Sequence, residues 1–232
     1  MATRAASVVA AIVQQFENTS SEELLRQMRD SGVPLDALVR GLLRTGDGDV
    51  RDWTIQVVGT FHRTEELDQS VAVEIIRERA LQDADADVRD EATRLFVALA
   101  PARAHEVVPR LRARLASDDY FLPVSAMWML LELGDRASIP LVERYRERTG
   151  IQRWQGKQAE IVLAAFEGDD VRLAERIISH DHDLMPALCR AATLMGTARL
   201  RGALSKCAAA NFDAECSERC GRALSRLLAA GA

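Results

Sequence analysis

Asp49-Val50-Arg51-Asp52 recurs as Asp87-Val88-Arg89-Asp90, and this interval of 38 residues constrains the fold more than any single motif does. Each copy opens an amphipathic pattern. Each also follows an acidic or glycine-rich turn, Thr45-Gly46-Asp47-Gly48 before the first and Asp83-Ala84-Asp85-Ala86 before the second. From Val88, the residues Ala92, Leu95, Phe96 and Leu99 fall at i+4, i+7, i+8 and i+11, one apolar stripe of a helix. The frame returns at Leu122, Ala126, Met129, Leu130 and Leu133, with Ala126 34 residues after Ala92. It returns again at Ala159 and Leu163, and at Leu184, Leu188 and Met195. Helices of this length cannot hide such stripes alone and must stack on one another.

Partner helices are predicted between these, over residues 35–44, 69–82, 105–116, 137–148, 171–179 and 197–209, with a last helix over 214–229. Ser20-Ser21-Glu22-Glu23 has the spacing of a capping box and opens a short helix before the repeats. Gly134 and Gly196 stand where the frame requires helices to stop. The apolar mass is mostly Ala, Leu and Val, with aromatic residues at only 5%, which suits helices packed closely on helices. Six Pro and 13 Gly are too few for a chain of many short strands and turns.

Helix, acidic turn, then Val-Arg-x-x-Ala-x-x-x-Leu resembles the HEAT repeat, particularly its short bacterial form. Ser117-Asp118-Asp119 through Ala126, and Leu133-Gly134-Asp135-Arg136-Ala137-Ser138-Ile139-Pro140-Leu141, read as one such repeat passing into the next. The resemblance spans about residues 33 to 230. It implies an all-α, right-handed α-solenoid of about five to six helix pairs. Residues 1–232 then form a single domain, with N-terminal capping helices over 1–32, repeats over 33–212 and a C-terminal capping helix over 213–232. The position of Arg51 and Arg89 becomes Pro123 and then Gly156, so the ladder of Asp and Arg known in that family is expected only as far as the second pair. Proline is tolerable in the first turn of its helix.

One helix lacks a polar face. In Leu122-Pro-Val-Ser-Ala-Met-Trp-Met-Leu-Leu-Glu-Leu133 only Ser125 and Glu132 are polar. Val124, Met127, Trp128 and Leu131 fall opposite the core stripe, where the preceding repeat has Asp90, Thr93, Arg94 and Val97. A helix apolar all round must be covered. Covering from within the chain and covering by a partner both satisfy that rule. The second gives an exposed patch of Val124, Met127, Trp128 and Leu131, extended by Tyr120 and Phe121, with Arg94 completing the candidate set. Trp would act as an anchor and Met as an adaptable contact. Trp53 is expected to pack between repeats. Trp154, beside Arg153 and Lys157, is expected to lie under a snorkelling basic rim.

Other constellations point to little chemistry. His180-Asp181-His182-Asp183 falls in a predicted turn and reads as a solvated loop, without zinc-like spacing to Cys189. Cys189, Cys207, Cys216 and Cys220 form no CxxC pair, and a reduced cytosolic state accounts for them. Cys216 and Cys220 share a helix face and read as small buried residues. The runs Arg110-x-Arg112-x-Arg114 and Arg144-x-Arg146-x-Arg148 read as solvated faces. Lys157 and Lys206 are the only lysines, a bias that a GC-rich genome produces without function. No metal and no cofactor is expected.

The expected function is therefore a non-enzymatic protein-binding scaffold or adaptor, with a protein or peptide partner or a second copy of the chain as a homodimer. The alternative is a DNA-binding enzyme resembling the HEAT-like alkylpurine DNA glycosylases, with Trp128 and Glu132 one turn apart and Arg153-Trp154 following. A net charge of -5 argues against nucleic acid. No stretch nears the roughly 18 apolar residues of a membrane span. The apolar start through Val13 runs into Gln14, Gln15 and Glu17, and reads as a helix rather than a signal peptide, so the expected location is cytoplasmic.

Overall fold

The computed structural model describes residues 2–118, 120, 122–150, 152–179, 181–210 and 214–230. These form helices and turns, with no strand among the described residues. The chain divides into two compact units, Met1–Val107 and Val108–Ala232. The first holds α1 (Ala2–Gln15), α2 (Ser21–Asp30), α3 (Leu35–Thr45), α4 (Gly48–Arg63), α5 (Gln69–Gln82) and α6 (Ala86–Leu99). The second holds α7 (Val108–Arg114), α8 (Leu122–Glu132), α9 (Ile139–Thr149) and α10 (Trp154–Glu167). It continues with α11 (Asp170–Ile178), α12 (Met185–Met195), α13 (Ala198–Ala209) and α14 (Ala214–Ala230).

The recurring acidic turns are helix caps. Asp47 accepts the Val50 N–H at 3.0 Å, and Asp85 accepts those of Asp87 and Val88. Each thereby satisfies donors that the first turn of a helix leaves open. Ser20 accepts from the Glu23 N–H, as the capping-box spacing predicts. Gly134 and Gly196 take φ of 66° and 62°, the left-handed conformation that stops a helix and that a side chain would disfavour.

Helices adjacent in sequence pack in pairs within each unit: α3 with α4, α5 with α6, α7 with α8, α9 with α10, α11 with α12 and α13 with α14. Second helices of consecutive pairs also touch, α4 with α6 in the first unit and α8, α10, α12 and α14 successively in the second. The second unit closes around α10. Gln158 through Phe166 are all buried, a run with no wet side. Its two polar residues are matched: Gln158 receives the Trp128 indole N–H, and Glu160 faces Arg172 at 3.2 Å and Arg176 at 3.7 Å.

Arginines fasten successive helices. Arg51 of α4 donates to both oxygens of Asp83 at 3.2 Å and to the Gly46 carbonyl at 2.9 Å, while Arg89 reaches the Asp83 and Ala84 carbonyls. Beyond the second pair, where Pro123 and Gly156 remove the motif, arginines of the first helices tie consecutive pairs. Arg112 of α7 grips Asp135 at 2.6 and 2.9 Å, and Arg148 of α9 donates to the carbonyls of Leu115, Ala116 and Ser117. The expectation that both arginine runs merely solvate a face is corrected for Arg112 and Arg148: a guanidinium long enough to reach the neighbouring turn satisfies its open carbonyls and carboxylates.

Asp83 is the most enclosed of these anchors, at 5% exposure. Burial alone would raise its carboxyl pKa. The Asp85 N–H together with Arg51 and Arg79 overcomes that and holds it below the usual carboxylate range. Its contribution is therefore present at neutral pH and lost as pH falls through the lowered value. Asp83→Asn should cost about 2 kcal/mol in urea unfolding at neutral pH, between the exposed and buried limits for such pairs. Melting temperatures of the two proteins should converge only once the pH has fallen below the lowered pKa of Asp83, beneath the usual carboxylate range.

Candidate functional site

The face expected to dock a partner is covered inside the chain. Val124, Met127 and Trp128 are 6%, 0% and 4% exposed, and Leu131 is half-buried. The Trp128 N–H donates to Gln158 Oε1 at 3.0 Å, and the Arg190 guanidinium lies over its ring at 4.9 Å. α8 is apolar on two sides because α7 and α10 both pack on it. The exposed patch is thus corrected to a core helix. Of its expected extensions, Phe121 lies outside the described residues. Tyr120 is 50% exposed and stacks on Trp154, with centroids 6.1 Å apart and planes 8° from parallel. That stack, rather than a snorkelling rim, covers Trp154. Arg94 belongs to the first unit and bonds Glu91 at 2.9 Å. Trp53 is buried, but its ring meets Phe16 of the N-terminal segment edge-on at 5.6 Å, in place of the expected packing between repeats.

Glu132 is not a free carboxylate beside a stacking ring. Arg190 donates Nε and Nη2 to its Oε1 at 3.0 and 2.6 Å while covering Trp128. The buried ring is not presented to any extruded base, so the Trp128 and Glu132 pair of the enzyme alternative is a structural clamp.

The chemistry that the second unit does expose lies next to that clamp. A groove of about 430 Å³ runs between α12 and α14, walled by Arg190, Arg219, Arg222 and Arg226. The spacing of 219, 222 and 226 puts three guanidiniums on one face of α14. Cys216, Cys220, Ala223 and Leu227 form the adjoining buried face. Pro186 and Leu194 of α12 give the opposite wall an apolar part, and Leu194 is 43% exposed. Glu215 and Glu218 pair with Arg219 and Arg222 one turn along the same helix, at exposed positions. Among the described residues Arg226 makes no ion pair. Sequence reading missed this set, although Arg219-x-x-Arg222-x-x-x-Arg226 is a visible helical stripe.

The reduced state expected for all four cysteines is corrected. Cys207 and Cys220 are joined as a disulfide between α13 and α14, while Cys189 and Cys216 are buried and lie outside it. Burial pushes the Cys189 thiol up to about 11 despite Arg219 and Arg222 nearby, so it is no thiolate nucleophile. Cys216 Sγ lies 3.5 Å from His182 Nδ1. His180 of the histidine and aspartate loop lies outside the described residues. Among those described, no three His, Cys, Asp or Glu side chains are grouped to hold a metal. No helix among them is long and apolar enough to cross a membrane.

Comparison with known proteins finds no matching family model and no matching curated protein.

Two measurements check this geometry. Trp128→Ala should destabilise the fold by about 3–5 kcal/mol in urea, whereas an exposed patch residue would change stability by less than about 0.5 kcal/mol. Without reductant, the denatured protein should titrate for the two thiols outside the disulfide, and for all four after reduction.

Proposed function

We propose that the chain is a non-enzymatic protein-binding scaffold built as a HEAT-like α-solenoid, with its binding site at the arginine-walled groove of the second unit. Paired helices, acidic caps at the recurring turns and contacts between second helices of successive pairs support the repeat reading. A stack of this kind exposes long helix faces without preparing any reactive group, which suits recognition more than catalysis. The observation that carries the site is the gathering of Arg190, Arg219, Arg222 and Arg226 around one concavity. Guanidiniums are rigid, multivalent donors and recur at the anchoring points of protein interfaces.

The test is charge reversal at positions not needed for folding. Arg222 and Arg226 are exposed, so Arg222→Glu with Arg226→Glu should leave the circular dichroism spectrum and melting curve nearly unchanged. Immobilised wild-type protein should retain a defined partner from its native lysate, and the double variant should lose it by tenfold or more. Equal retention by both proteins would place the site elsewhere. Retention of nothing specific by either would sink the scaffold reading.

A further inference from the structure

We infer that the groove between α12 and α14 recognises a short acidic peptide segment carrying one apolar side chain, through carboxylates set on the arginines and the apolar group set on Leu194. The inference rests on the binding-scaffold reading and adds the chemistry of the ligand.

The four arginines are not equivalent, and their differences shape the ligand. Arg190 is fixed before anything binds, held by Glu132 on one side and by the Trp128 ring beneath it. Its position needs no further ordering, which lowers the entropic cost of using it. Arg226, at the other end of the stripe, makes no ion pair among the described residues and is the most available charge. Arg219 and Arg222 precede Arg226 on α14, each engaged by a glutamate four residues earlier. Such i,i+4 pairs on a helix surface are weak and screened by water and salt. Each guanidinium also has more N–H donors than one carboxylate can occupy. An incoming carboxylate can therefore join or displace these glutamates at small cost, and bidentate geometry favours a carboxylate over a point charge.

Nucleic acid is a poorer fit to the same charges. A phosphate backbone is read by an extended basic stripe, with affinity growing with the number of phosphates neutralised. Here Glu215 and Glu218 stand exposed on the same helix as the arginines, and Glu132 lines the groove itself. A long polyanion passing over α14 would meet these carboxylates in alternation with the arginines. A short segment with carboxylates at chosen positions avoids them. Leu194 separates the two ligands further: an exposed leucine on the groove wall offers nothing to a phosphate, but it is the natural seat for an aliphatic side chain.

Fluorescence anisotropy with a labelled peptide of glutamates flanking one leucine, titrated with the full chain, tests the inference. Saturable binding is expected, weakening at least tenfold with Arg226→Glu and with Arg222→Glu. Arg144→Glu, an equal charge change at an exposed position of α9, should leave it unchanged. Replacing the peptide leucine by serine, or Leu194 by Asp, should weaken binding severalfold at constant salt. Tighter binding of a single-stranded oligonucleotide than of the peptide would overturn the assignment in favour of nucleic acid. Equal binding by the leucine and serine peptides would overturn the apolar part of it. If the peptide fails to bind while Arg222→Glu with Arg226→Glu still abolishes partner retention, the ligand class is wrong and the scaffold reading stands. If both effects are missing, the groove is not the site.

Discussion

The second unit depends on a helix whose middle has no wet side. Nine consecutive residues of α10, Gln158 to Phe166, are buried, so neighbours must close on it from every side. α8, α9, α11 and α12 do so, and each is oriented by having to present an apolar stripe to the same cylinder. The polar atoms admitted into that interior are those with partners. Gln158 accepts from Trp128, and Glu160 is shared by Arg172 and Arg176. An unmatched group at either place would cost more than the contact gains.

Arginine is the second organising principle. Helices stacked through Ala, Leu and Val slide easily, because small aliphatic surfaces fit in several registers. A guanidinium that must find one carboxylate or a set of carbonyls admits far fewer. Arg51 on Asp83, Arg112 on Asp135 and Arg148 on the turn at 115–117 each fix one pair against the next. The Asp135 carboxyl is correspondingly pulled below its usual range by the Arg112 guanidinium. A lysine ammonium at these places would supply the charge without the fork geometry. The near absence of lysine thus has a structural use here, whatever produced it.

Most helices were legible because their signals are local. Caps at Asp47 and Asp85, stops at Gly134 and Gly196 and a period near 3.6 all lie within a few residues of what they specify. The fate of Trp128 was not legible. An all-apolar helix announces that it is covered, but its cover, Gln158 and Arg190, stands 30 and 62 residues further along the chain. The Cys207–Cys220 pairing was hidden for the same reason, since it depends on how α13 faces α14 rather than on spacing. The arginine stripe was hidden differently. Its letters were visible, but Glu215 and Glu218 on the same helix offset two of its three arginines, and a net-charge reading leaves little to notice.

The disulfide has a mechanical consequence for that stripe. The last turns of any helix fray more readily than its middle, and a side chain on a fraying turn samples many positions. Cys220 lies between Arg219 and Arg222, so the covalent link to α13 grips α14 at the middle of its basic teeth. Arg219 and Arg222 keep their separation as a gauge of fixed pitch, while Arg226, nearly two turns beyond the clamp, has more room to adjust. Oxidation state then sets how stiff that gauge is, without moving any charge.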